Sequence, residues 1–170
     1  MLPRARSQEG FGLIELLMSM TMLNIGILAL VAAFQSGAFA LQRASKISTA
    51  AAIADIQMER FRAMNYNSIA LDAGLFATDK NHSPYKDDLA FSAGQLTQTC
   101  ASPAPDECKP IRTLAGPDGK RYEIDTYIIS DSVATGRTLK RVTLVVRDAE
   151  ALTARPLARI ASTFDQATGS

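Results

Sequence analysis

Residues 11–34 read FGLIELLMSMTMLNIGILALVAAF, and the organisation of the whole chain follows from them. From Phe11 to Leu41 the only ionisable side chain is Glu15, and the nineteen residues from Leu16 to Phe34 carry no charge. At about 1.5 Å of rise per residue, nineteen helical residues reach roughly 28 Å, close to the ~30 Å hydrocarbon thickness of a bilayer. Arg4 and Arg6 precede the run. Basic residues stay on the cytoplasmic side, so the pattern predicts a single-pass membrane protein with its N-terminus in the cytoplasm and residues 67–170 outside it.

Working outward, the helical pattern continues past the apolar run. Apolar or small residues recur at Ala40, Ala44, Ile47, Ala51, Ala54, Met58 and Phe61, spaced by four and three. Arg43, Lys46, Asp55, Glu59, Arg60 and Arg62 lie off that stripe. Neither Pro nor a helix-ending cluster intervenes before Asn65-Tyr66-Asn67-Ser68. The expectation is one helix over residues 11–66, greasy all round across 11–41 and amphipathic across 42–66. The rival reading is a secreted binding protein whose signal is cut after Ala38-Phe39-Ala40. Secretory apolar regions usually run only about 7 to 15 residues, and this one is longer.

Composition narrows the function. In 170 residues, eighteen Lys plus Arg and seventeen Asp plus Glu give +1, so no overall field draws the chain to nucleic acid. Two Cys and one His cannot supply a four-ligand zinc site. Nothing matches a nucleophile elbow, a P-loop or the two-histidine zinc helix, so no catalytic residue, cofactor or metal is expected. His82, in DKNHSPYKDD, reads as an exposed loop residue. Asp79, Asn81, Asp87 and Asp88 group hard oxygen ligands suited to calcium, but their spacing misses the EF-hand loop.

Glu15 is the residue an ordinary membrane anchor has no use for. An acidic residue at the centre of a membrane helix costs about 2.5 to 3.5 kcal/mol, less near the interface, and such residues usually have a partner. The nearest cations before it are Arg4 and Arg6, beyond Gly10. A cut after Gly10 would place a new ammonium on Phe11, close in depth to Glu15. That amine could pair with Glu15 of the same helix or with Glu15 of a neighbour.

Gly10-Phe11-Gly12-Leu13-Ile14-Glu15 and the run that follows resemble the class III signal of type IV prepilins and pseudopilins. The continuation through MERFRAMNY at 58–66 is most similar to minor pilins of the PilV type, the type IV pilus modification proteins. Position 12 is Gly where that family more often has Thr or Ser. The resemblance implies cleavage by prepilin peptidase between Gly10 and Phe11, N-methylation of Phe11, and a part for Glu15 in subunit assembly. It implies a type IV pilin-like fold, with other major and minor pilins as partners and the inner membrane as residence before the fibre. A type II secretion pseudopilin shares the same signal and helix. Removing residues 1–10 leaves sixteen basic and sixteen acidic side chains, a formally neutral subunit.

In the remainder, residues 67–110 read as an irregular linking region ending in Cys100-ASPAPDE-Cys108, a pair expected to form a disulfide outside the cytoplasm. Alternation then takes over. Tyr122, Ile124, Thr126 and Ile128 oppose Glu123 and Asp125, which predicts a half-buried strand. Two further strands are predicted over about 139–147 and 157–164, and Gly116-Pro117-Asp118-Gly119 turns a short strand at 111–114 back on the first. The predicted architecture is α+β, with the long helix laid on a small antiparallel sheet and Ile47, Met58 and Phe61 buried between them.

Overall fold

The computed structural model describes residues 12–92, 100, 105–132 and 138–166. Its first element is α1, Leu13–Arg62, an unbroken helix of 50 residues. Glu15 in the first turn and Arg60 and Arg62 in the last complement the helix dipole. The chain divides into two units between Ala44 and Ser45. In the first, α1 is exposed along its length and contains a stretch long and apolar enough to cross a membrane.

The second unit is an antiparallel meander with strand order β1-β2-β3-β4 and the last turns of α1 packed on it. Its strands are β1 (Ile111–Ala115), β2 (Arg121–Ser132), β3 (Thr138–Asp148) and β4 (Ala158–Asp165). The turn from β1 to β2 closes through Gly119 N–H to Gly116 O at 3.0 Å and Gly116 N–H to Lys120 O at 2.7 Å. Gly119 has φ 73°, which only glycine adopts without strain. Gly116 has no room for a side chain, since a Cβ there would lie 2.6 Å from the Tyr122 ring.

Tyr122, Ile124, Thr126 and Ile128 pair across to Asp148, Val146, Leu144 and Val142, which puts all eight on one face. That face meets α1. Lys46 Nζ reaches Asp148 Oδ2 at 2.5 Å, and Arg112, opposite Ile124, donates to Gln57 at 3.4 Å. The helix residues buried there are Ala50, Ile53, Ala54, Gln57, Met58 and Phe61. Burying Met58 and Phe61 contributes about 1.5 to 3 kcal/mol each. Ile47, expected in this core, is instead 40% exposed, because the inward stripe starts at Ala50 and steps through 53, 54, 57 and 58. The helix also stops at Arg62 rather than 66, and a 3₁₀ turn follows at Tyr66–Ser68.

Residues 67–92 are not a loose linker. Asp72 caps the short helix α2 (Ala73–Asp79) by accepting from Leu75 N–H at 2.7 Å. Ile69, Leu71, Phe76 and Tyr85 are all buried. Tyr85 stacks on Tyr127 with ring centroids 4.6 Å apart. Its hydroxyl donates to Thr126 O, and the Tyr127 hydroxyl donates back to Tyr85 O, each at 2.9 Å. This segment therefore covers the second sheet face, the one carrying Glu123, Asp125 and Tyr127. β2 is consequently buried on both faces over residues 122–129, rather than half-buried as its alternation suggests.

Candidate functional site

The apolar part of α1 is the first candidate. Its large side chains from Leu13 to Leu41 are exposed, and its hydroxyls are satisfied within the helix. Ser19 donates to Glu15 O at 2.8 Å, Thr21 to Met18 O at 2.8 Å and Ser36 to Ala33 O at 3.3 Å. Hydroxyls that close on their own helix suit surroundings without water. Glu15 projects from the first turn, and among the described residues no cation pairs with it. Gly10 and Phe11, the expected cleavage and methylation positions, lie outside the described residues.

A feature not drawn from the sequence follows from α1 being one helix, as expected. At 3.6 residues per turn, Ser19, Gly26, Ala29, Ala33, Gly37, Ala40 and Ala44 fall within about 40° of Glu15 around the helix, with Met22 the one large side chain among them. The carboxylate thus heads a line of small residues, the kind that lets a second helix approach closely. A Cβ on Gly26 or Gly37 would meet nothing within 4 Å, so this line is open. Ala38-Phe39-Ala40 lies in mid-helix.

At the far end of α1, the stretch 58–66 anchors the folded unit. Met58 and Phe61 are core residues, and Arg60 pairs with Glu107 at 2.9 Å. The Tyr66 hydroxyl donates to Thr138 O at 2.7 Å. Lys140 Nζ donates to both Tyr66 O and Ile69 O at 2.8 Å and lies 4.7 Å from the Tyr66 ring centroid. Burial pushes the Lys140 ammonium below its ordinary pKa.

Cys100 and Cys108 form a disulfide with Cα atoms 6.3 Å apart. It ties into the covering segment, because Cys100 N–H donates to Leu71 O and Asp72 N–H to Cys108 O. The bridge thus fastens the layer over the second sheet face.

Beneath that layer lies a buried ionic network the sequence reading did not anticipate. Arg147 Nε donates to Asp125 Oδ2 at 3.0 Å and its Nη2 to Asp88 Oδ2 at 2.6 Å. Arg159 Nη2 holds Asp88 at 2.6 and 2.7 Å. Asp88 is therefore committed to two guanidiniums, and Asp87 accepts from Ser83 at 2.8 Å. Two of the four residues grouped as calcium ligands, Asp87 and Asp88, thus serve the fold. Among the described residues no three His, Cys, Asp or Glu side chains converge as a metal site. His82 is exposed. An open cleft of about 360 Å³ beside the network is lined by Ser83, Pro84, Asp87, Leu89, Leu152 and Arg159, with the Ser83 hydroxyl held by Asp87 at its edge.

No family model, curated protein or solved structure matches this chain.

Proposed function

We propose that this protein is a minor subunit of a type IV pilus, cut between Gly10 and Phe11 by prepilin peptidase and methylated on Phe11. It acts by helix packing rather than by catalysis. The observation that carries this reading is Glu15, alone in the first turn of a helix whose apolar side chains are exposed from Leu13 to Leu41. In the membrane the carboxylate waits at a cost. In the fibre the Phe11 amine of an adjacent subunit meets it, and the line from Gly26 to Ala44 admits the neighbouring helix. The neutral charge of the cut subunit lets many copies pack without accumulated repulsion. Other major and minor pilins are the partners, and the folded unit outside the membrane is left for contacts with them.

The test is recovery of surface fibres by shearing. The subunit is expected in the sheared fraction at a small proportion of the main pilin, and in cells lacking prepilin peptidase it is expected only in the inner membrane. A chain confined to the envelope while fibres form normally without it would contradict the pilus reading and favour a secretion pseudopilin.

A further inference from the structure

Glu123, Asp125, Asp88, Arg147 and Arg159 converge between the sheet and the segment that covers it. Glu123 and Arg147 sit opposite each other in the β2–β3 register, and Asp125 is two residues along the same face. Asp125 is fully buried, and Glu123 and Arg147 are each 6% exposed. Three carboxylates share two guanidiniums, and guanidinium does not lose its proton in proteins. The fully ionised cluster therefore carries one uncompensated negative charge, and at its Glu123 and Asp125 end, away from water, that is costly enough that a buried acid takes up a proton instead.

The hydrogen bonds locate the deficit. Among the described residues Glu123 Oε1 and Asp125 Oδ1 are buried without a partner, whereas Asp88 is bonded on both oxygens. None of the surrounding groups repairs this. Tyr85 and Tyr127 donate to backbone carbonyls, and β1 places uncharged Ile111 and Thr113 beside the pair. Among the described residues Asp79 adds negative charge, and beyond Arg147 the exposed His82 supplies distant positive charge.

We infer that Glu123 and Asp125 form a buried proton-binding site, holding one proton between them that neutralises the cluster and locks the 80–91 segment onto the sheet. Burial, against the pull of Arg147, pushes Asp125 up to about 6, and burial also raises Glu123. An acid whose pKa is raised by folding costs nothing below its unfolded value near 4, and its full penalty is present above the folded value near 6. The clamp is therefore tightest below pH 4, loosens as pH rises from about 4 to 6 and stays loose above that.

The experiment compares melting of the full-length chain in detergent micelles between pH 3.5 and 8 with that of Glu123→Gln and His82→Ala. Gln keeps the shape, removes the surplus charge and brings N–H donors. Glu123→Gln is expected to melt about 5 °C above wild type at pH 7.5 and to converge with it near pH 3.5. His82→Ala is expected to keep the wild-type slope. Carboxyl-carbon NMR of the wild-type chain is expected to show one of the two acids titrating near 6. Glu123→Gln melting at or below wild type at pH 7.5, or both acids titrating in the ordinary range, overturns the site. So does a divalent cation that stabilises wild type at pH 7.5 but not Glu123→Gln, since a metal would then supply the missing charge.

Discussion

Glu15→Ala is expected to be cleaved normally after Gly10 and to enter fibres at least about tenfold less well than wild type. The substitution removes an attraction and also a cost, and the two act on different states. In the bilayer, replacing a carboxylate by a methyl relieves about 2.5 kcal/mol or less near the interface, so the membrane-resident subunit becomes more stable. In the fibre, the Phe11 ammonium of the adjacent subunit loses its counter-ion. A unit pair at 4 Å is worth about 4 kcal/mol at an effective dielectric of 20, and each 1.4 kcal/mol is a factor of ten. Both changes push the equilibrium toward the membrane pool. Glu15→Gln, which keeps size and loses charge, is expected to fail nearly as badly, and Glu15→Asp to retain part of the incorporation. The readout is the ratio of sheared to membrane-bound subunit by immunoblot, and incorporation of the alanine variant at the wild-type level would show that the carboxylate does not guide assembly.

Arg147→Met is expected to destabilise the folded unit by about 3 to 5 kcal/mol, the usual consequence of removing one member of a buried ion pair. Arg147 is bonded to Asp125 and Asp88 and lies opposite Glu123, so its loss leaves three acids with Arg159 alone, which is 39% exposed. The apparent melting temperature of the full-length chain in detergent should drop by about 10 °C or more at pH 7.5. Arg141→Met is the control: its 3.2 Å pair with Asp131 is half-exposed on both sides, and such pairs contribute less than about 1 kcal/mol. Equal melting of the two variants would show that the network does not hold the covering segment.

The contrast between these two arginines marks where the sequence was legible. Strand alternation from Tyr122 to Ile128 gave the α1-facing side correctly, because apolar side chains at period two have one place to go. The turn at Gly116-Pro117-Asp118-Gly119 was equally readable, since it rests on local backbone chemistry. Glu123 and Asp125 misled because acids on a strand read as a solvent face. Their burial depends on Arg147, twenty-two residues beyond Asp125, and on a covering segment whose Ile69, Leu71, Phe76 and Tyr85 show no regular period. The Cys100–Cys108 pair was legible from spacing and inferred compartment, and the structure joins it. At the other end, Glu15 stands out by its charge, and the small residues sharing its face follow from the same continuous helix at 3.6 residues per turn. Ile47 was misassigned because a stripe of period three and four, extended from Ala40, drifts round the helix before the sheet begins.

The most direct test of the central claim is the mass of the N-terminal peptide from the chain recovered out of assembled fibres. An amine made by proteolysis and set against Glu15 requires that peptide to begin at Phe11 carrying one methyl group on nitrogen. A peptide beginning at Met1 in an intact polymer would contradict the account, and so would one beginning at Leu41, since either chain would assemble without the Phe11 amine.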